Sequence, residues 1–304
     1  MKRISLTLLA VCIFSSLFSQ SSMDLLSITG RFGLATNYEN PYQDQKATES
    51  GVLVNAKLPI PFSETTIWFS QITYTDFIVK NDIQMPSGVS NPLNLHAFIF
   101  QTGLYKKFGN DQGMLILFAP RFMTDFENTS GKNFQPGGII MYEKKFHDQL
   151  RMRFGAMFHN ELGGPLLVPI VDTDWQINSK WSLVGMWPIL GKLNYHVNEN
   201  FTAGISHFGL VTSYLMGHTD YEGDYIERTS IDLALFGRIR VVGNFHLEGK
   251  LGYALGRSYT QYASDQTVPF RIAIIKFGDE RVAKNYLFDP GPIFNISLIY
   301  NLPI

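Results

Sequence analysis

Cysteine is almost absent from this sequence of 304 residues. Cys12 is the single example, and it lies in an apolar run near the N-terminus. One cysteine cannot form a disulfide within a chain, so a disulfide framework is excluded. Val11 precedes Cys12 where a lipoprotein signal would carry a small residue, so we expect no lipid anchor. If the N-terminal run is removed, the mature chain has no thiol chemistry.

Long apolar runs are missing as well. Ile4–Phe14 is apolar, but neither it nor any other run approaches the ~20 residues that a membrane-spanning helix needs. Lys2 and Arg3 precede this run, and the small or polar residues Ser15–Ser22 follow it. That order is typical of a secretory signal peptide. We therefore predict a cleaved signal over residues 1–21 and one mature domain over residues 22–304.

The chain also carries little net charge. Its formal charge is −1, which becomes −3 once the two cations Lys2 and Arg3 are removed. A nucleic-acid-binding protein would carry a basic patch, so we expect no nucleic-acid partner. Amphipathic helices are not expected either, because apolar residues spaced three and four apart do not recur over any long stretch.

What the sequence has is strict alternation of apolar and polar residues, and the clearest example is Ser230–Leu255. Apolar residues occupy every second position in two arms, and polar residues such as Asp232, Arg238 and Glu248 lie between them. A period of two predicts β-strands. Gly243-Asn244 between the arms predicts a tight hairpin turn. We expect the apolar face here and on one other strand to contact lipid through Phe154, Ile231, Leu233, Leu235, Leu247 and Leu251.

The same alternation recurs along the whole chain, and it predicts about fourteen strands. Pro120 falls inside the fifth strand, which indicates a bulge or a wrong boundary. The ninth and tenth strands have the weakest pattern, and merging them with their neighbours would leave twelve. The predicted strands are Leu25–Thr36, Gly51–Leu58, Thr65–Val79, Leu95–Phe108, Gly113–Asp125, Gly138–Phe146, Leu150–His159, Leu166–Gln176, Trp181–Trp187, Ile189–Val197, Phe201–Leu215, Ser230–Val242, Phe245–Leu255 and Ile293–Leu302.

Short and long connections alternate between these strands. Tight turns such as Gly109-Asn110-Asp111 are followed by long loops such as Lys80–Asn94, and the longest connection is Ser258–Asp289. An even number of strands places all short turns at one end of a barrel and all long loops at the other, as in outer-membrane barrels. The aromatic content of 14% also suits the aromatic girdles of such proteins. The predicted fold is an all-β, transmembrane, antiparallel up-and-down β-barrel.

The chain resembles the uncharacterised outer-membrane β-barrel proteins of Bacteroidetes-type bacteria. The resemblance lies in Leu17-Phe18-Ser19-Gln20 at the end of the signal and in the amphipathic closing strand Ile293–Leu302. It implies the outer membrane of a Gram-negative bacterium, with outer-membrane lipid and the barrel assembly machinery as partners and no known biochemical activity. Closing strands of this group often end in Phe or Trp, whereas this chain ends in Leu302-Pro303-Ile304.

Charged residues on the face opposite the apolar one are the candidates for lining the lumen. Two interpretations remain open. In one, mixed charge pairs close the lumen and the role is structural or surface-binding; in the other, a water-filled pore passes small polar solutes. The candidate residues are Arg31, Lys57, Arg121, Arg151, Arg153, Asp172, Asp174, Lys192, Asp232, Arg238, Arg240, Glu248 and Lys250, with Glu143 as a further carboxylate.

Catalytic and cofactor sites are not expected. Ser206 and His207 are adjacent, so on a strand they point to opposite faces and cannot form a dyad. His218 and Asp220 would need an acidic pair opposite them, for which only Asp172 and Asp174 are available. Metal-ligand spacing and Gly-rich phosphate loops do not occur in the sequence. We therefore expect no enzyme and no cofactor. Ser258–Asp289 is long enough to fold inward as a lid, and the sequence leaves its role open.

Overall fold

The computed structural model describes residues 22–303, and these form one closed antiparallel barrel of fourteen strands. Within that range no α-helix is present, and no helix is long and apolar enough to cross a membrane. The strands are β1 (Ser22–Asn37), β2 (Lys46–Ser63), β3 (Thr66–Asn81), β4 (Leu93–Phe108), β5 (Gln112–Phe118 and Arg121–Thr124), β6 (Phe134–Gln135 and Gly137–His147), β7 (Leu150–Glu161), β8 (Gly164–Gln176), β9 (Trp181–Trp187), β10 (Leu190–Asn198), β11 (Phe201–Leu215), β12 (Tyr225–Val242), β13 (Phe245–Ala254 and Ser258–Tyr262) and β14 (Gly291–Pro303).

Pairing of the last strand with the first closes the barrel. Thr29 of β1 lies opposite Ser297 of β14, and the other edge of β14 pairs with β13. The predicted fourteen strands are confirmed, and the alternative of twelve is wrong, because β9 and β10 both exist as separate strands. Gly243 has a φ of +55°, as the predicted tight turn between β12 and β13 requires.

Connections differ between the two ends of the barrel. The short-turn end carries the tight turns together with Ser22 and Pro303, and the long-loop end carries residues 38–45, 82–92, 125–133, 216–224 and 255–290. One predicted loop is shorter than expected, because β7 continues to Glu161 and β8 begins at Gly164. The predicted interruption at Pro120 is present, since β5 breaks at Ala119-Pro120 and resumes at Arg121.

A continuous apolar belt covers the outside of the barrel. Leu233, Leu235, Leu247, Leu251 and Phe154 are exposed on it, as their alternation predicts, whereas Ile231 is mostly buried. Exposed aromatic residues border the belt near the short turns, where Trp181 packs on Tyr195 at 4.9 Å between ring centroids. The exposed aromatics of this border are Phe62, Phe108, Phe146, Trp175, Trp181, Phe201 and Phe245, and a second border contains Phe32, Phe98, Phe158, Tyr253 and Phe294.

The inward face changes character along the barrel axis. Its short-turn half carries most of the charged residues described below, whereas its long-loop half is filled largely by apolar side chains. One buried cluster there includes Phe77, Leu95, Met123, Tyr214 and Met216. A second cluster lies between β5 and β8 and includes Leu117, Met141, Met157, Leu166 and Ile170. The inward face is therefore polar over only part of its length.

The wall has a gap at its long-loop end, because β9 and β10 are much shorter than β8 and β11. Residues 263–290 are called the strap below, and the part of the strap around residues 268–273 fills this gap. Leu166 and Leu167 of β8 pair in parallel with Arg271 and Ile272 of a small hairpin in the strap. Ser258–Tyr262 extend β13. The role of this segment, which the sequence left open, is thus to complete the wall.

Candidate functional site

Inward charges in the short-turn half of the lumen form networks of ion pairs. Eleven of the thirteen candidate residues lie within 4 Å of an opposite charge. Lys57 and Arg240 have no such partner among residues 22–303. The other eleven candidates divide into three networks and one separate ion pair.

The first network lies on the wall formed by β6, β7 and β8. Arg153 bridges Glu143 at 2.7 Å and Asp172 at 2.6 Å, and Arg151 binds Asp174 at 2.8 Å. These residues occupy directly paired positions on neighbouring strands, which brings their side chains together. The network therefore fixes the register of this wall as well as lining it.

The second network is centred on Glu248 of β13. Its carboxylate contacts Lys192 at 2.6 Å, Arg238 at 2.9 Å and Lys250 at 3.5 Å. The Arg238 guanidinium also donates to both oxygens of Asp24, at 3.0 and 2.8 Å. Two carboxylates thus hold three cations on the wall formed by β10 and β12–β14 together with β1.

The third network lies deeper, toward the long-loop end. Arg31 contacts both Glu49 and Asp232, and Glu49 is also approached by Arg228 at 3.9 Å and Arg257 at 3.8 Å. Sequence reasoning missed Glu49, Arg228 and Arg257, because all three lie outside the predicted strands. The strands continue beyond the part with clear alternation, and these residues lie on the extensions or next to them.

Arg121 is part of a structural contact, separate from these networks. It pairs with Glu161, which also accepts hydrogen bonds from the backbone nitrogen and the hydroxyl of Ser213, at 2.9 and 2.6 Å. Gln135 donates to the carbonyl oxygen of Ser213 at 2.8 Å. Buried side chains thus supply hydrogen-bond partners for the backbone groups at the edge of β11, where β10 is too short to pair with it.

A cavity of about 220 Å³ lies between the second and third networks. Its polar neutral wall includes Ser27, Thr29, Asn295 and Ser297. We call this cavity the chamber. Its charged lining residues are the cations Arg31, Lys192, Arg228, Arg238 and Lys250 and the carboxylates Asp24, Asp232 and Glu248.

Access to water falls along the lumen. The side chains of Asp24 and Lys192 are 32% and 24% exposed, whereas those of Arg31 and Glu49 are 4% and 0% exposed. The Arg228 guanidinium lies 3.9 Å from the centre of the Phe77 ring, which belongs to the apolar cluster above. Water therefore reaches the chamber from the short-turn end, and the apolar cluster closes it at the other end.

Comparison with the profiles of known protein families identifies the family of this chain. A profile described as a domain of unknown function, DUF6268, matches residues 16–300. The chain belongs to the DUF6268 family. No curated protein matches the DUF6268 chain.

Solved structures similar to this DUF6268 protein are β-barrels. It resembles the NanC porin with a TM-score of 0.37 and 10% identity over 90% of this chain and 98% of that one. It resembles a mutant of the TodX monoaromatic hydrocarbon channel with a TM-score of 0.39 and 8% identity over 92% and 89%. It also resembles the translocator domain of the autotransporter NalP from Neisseria meningitidis, with a TM-score of 0.34 and 8% identity over 98% and 95%. Likenesses this distant carry no argument about function.

The serine, histidine and aspartate residues of this DUF6268 protein that could form a catalytic site do not come together. The Ser206 hydroxyl donates to the carbonyl oxygen of Ala234 at 3.4 Å, while His207 stacks on Trp187 at the outer surface. His218 lies 3.7 Å from Asp220 in a loop at the long-loop end, whereas Asp172 is paired with Arg153. Within residues 22–303, no group of three His, Cys, Asp or Glu residues could hold a metal ion.

Proposed function

We propose that this protein is an outer-membrane barrel of a Gram-negative bacterium through which small polar solutes pass. The exposed apolar belt with its two aromatic borders supports insertion in a bilayer, since these features match the lipid-facing surface of outer-membrane barrels. In that orientation the short turns face the periplasm and the long loops face outward. The signal peptide, the bacterial group and contact with the assembly machinery stay predictions, and residues 1–21 lie outside the described range.

The observation that carries the passage proposal is the charged chamber that water reaches from the short-turn end. Burying ionised groups is costly unless they are paired or hydrated, and here the exposed fractions indicate hydration on one side. A barrel whose lumen had only a structural role could fill the short-turn half with apolar clusters, as it fills much of the long-loop half. A solvated charged chamber is instead suited to receiving a polar solute.

Passage also requires an opening at the long-loop end. Tyr214 and Met216, from the end of β11 and the loop after it, are fully buried in the apolar cluster together with Met123 of β5. The structure corresponds to the closed state of the proposed channel, with this contact as its seal. Movement of the β11 end away from β5 would connect the chamber to the outside.

A closed barrel with a structural or surface-binding role is the second candidate. The filled long-loop half of the lumen favours it, because two apolar clusters occupy the path that a solute would follow. The two candidates differ in one measurable property, which is ion conductance across a bilayer.

Planar-bilayer recording of the purified protein separates them. Passage predicts stepwise currents from the natural protein, and larger or longer openings from a Tyr214→Ala, Met216→Ala variant, because truncating both side chains weakens the seal. Leu235→Ala is the matched control, since it truncates an apolar side chain on the outer face and should leave the currents unchanged. Silence from both the natural protein and the double variant, with folding verified by heat-modifiable gel mobility, would overturn passage in favour of the closed barrel.

A further inference from the structure

Positive charge exceeds negative charge in the chamber. Five cationic and three carboxylate side chains line it, a net charge of +2. Including Glu49, which contacts the lining residue Arg31, and Arg257, which contacts Glu49, adds one charge of each sign and leaves the excess unchanged. The chamber is therefore a local positive region in a protein whose overall charge is slightly negative.

The three carboxylates are already occupied. Glu248 contacts three cations, Asp24 accepts two hydrogen bonds from Arg238 and one from Asn301, and Asp232 is held by Arg31 and by the hydroxyl of Ser230. A cationic guest would have to compete with these fixed partners. The acceptors of the chamber are thus largely used up.

Two of the five cationic side chains are not used in the same way. Lys250 contacts Glu248 only at 3.5 Å, which is too long for a strong charge-assisted hydrogen bond. Arg228 donates from Nε to the hydroxyl of Tyr259 at 3.0 Å, and its nearest carboxylate, Glu49, is 3.9 Å away. Within residues 22–303 neither terminal nitrogen of Arg228 makes a hydrogen bond. Donors of the chamber remain available to a guest that brings acceptors.

We propose that the chamber binds an oxyanion, namely the carboxylate or phosphate group of a small solute. Such groups accept several hydrogen bonds at once and match guanidinium and ammonium donors. The volume of 220 Å³ also fits, because a water molecule in the liquid occupies about 30 Å³ and the chamber therefore holds several waters or one small polyatomic anion. This inference deepens the proposed passage by naming the solute class, and it rests on that proposal for the route of entry.

Isothermal titration of the detergent-solubilised protein tests the inference. Inorganic phosphate and succinate are titrated separately at constant ionic strength, with chloride as the background anion. We expect one phosphate or succinate to bind per chain. Lys250→Gln should weaken binding by about tenfold or more, since it removes one charge-assisted hydrogen bond. Lys250→Arg, which keeps the charge and the donors, should retain binding.

The matched control is Lys57→Gln. Lys57 faces the lumen outside the chamber lining and has no ion pair among the described residues. The Lys57→Gln substitution therefore removes the same charge as Lys250→Gln without removing a donor from the chamber. Equal weakening by Lys57→Gln and Lys250→Gln would indicate diffuse attraction and overturn the inference, as would failure of both anions to bind. Binding of only one of the two anions supports the site and shows whether it prefers a phosphate or a carboxylate group. Conductance without anion binding refutes only this inference, and binding without conductance refutes only passage.

Discussion

At the scale of single residues, the exposed fraction of an apolar side chain does not by itself distinguish lipid from water. Leu235 in the belt and Val282 in the strap are both 67% exposed. Leu235 lies between the two aromatic borders, whereas Val282 lies beyond the belt at the long-loop end. The proposed membrane location therefore predicts different responses to the same substitution.

Leu235→Arg should reduce the free energy of unfolding by about 2–4 kcal/mol in a lipid bilayer, because the cation would lie in the hydrocarbon region. Val282→Arg should have little effect, since its side chain would remain in water. Reversible denaturant unfolding in lipid vesicles measures both values. Equal costs at the two positions would contradict the location of the belt in the bilayer.

At the scale of the elements, alternation identifies strands only where one face meets lipid and the other meets water. The two arms Ser230–Val242 and Phe245–Leu255 meet that condition and could be predicted from sequence. The first part of β12, from Tyr225 to Arg228, does not, because both of its faces are buried. That part and the extension of β13 at Ser258–Tyr262 were predicted as loop for this reason.

Besides its pairing with β8, the strap is held to the wall through Glu227 of β12. Its carboxylate accepts hydrogen bonds from Lys276 at 2.7 Å, Arg271 at 2.9 Å and Arg281 at 3.0 Å. Glu227 lies at the long-loop end, beyond the exposed belt residues of its strand. Burial tends to raise the pKa of this carboxyl, but the hydrogen bond from Arg281 and the interactions with Lys276 outweigh it, so the pKa lies below its ordinary value.

A carboxyl whose pKa is lowered by folding stabilises the fold above its unfolded pKa, and that contribution is lost as the pH falls through the folded value. The strap should therefore stay attached at neutral pH and loosen below the ordinary range of glutamate. Glu227→Gln should mimic acid at neutral pH, and trypsin should then cut the strap at its basic residues faster than in the natural protein. Pepsin digestion of the natural protein across the acid range measures the pH dependence directly.

Glu222→Gln is the matched control for this experiment, because Glu222 is an exposed carboxylate in the loop just before β12. It removes the same charge without touching the strap. Strap cleavage that is equally fast in both variants, or unchanged in Glu227→Gln, would contradict the role assigned to Glu227.

At the scale of the whole molecule, the number of strands and the two unlike ends could be predicted, whereas the closure of the lumen could not. The alternation of inward-facing and outward-facing residues along a strand is the same whether the opposite wall of the barrel is close or distant. Tyr214 of β11 and Phe77 of β3 belong to one cluster although 137 positions separate their numbers. No local pattern relates such residues, so the filled long-loop half and the chamber below it emerge only from the assembled barrel.

Closure itself depends on the pairing of β1 with β14, which can be tested because residues 22–304 contain no cysteine. The hydroxyls of Thr29 and Ser297 lie 2.8 Å apart at directly paired positions. Thr29→Cys with Ser297→Cys should therefore form a disulfide on mild oxidation of the folded chain from residue 22, since paired cysteines on adjacent strands lie within disulfide range. The oxidised chain becomes a ring, and after heat denaturation it should migrate differently from the reduced chain on a gel. In the control, Thr29→Cys with Asn301→Cys, one partner lies four positions further along β14, which is roughly 13 Å along the strand. This offset pair should not cross-link. A disulfide in the offset pair, or none in the direct pair, would contradict the register that closes the barrel.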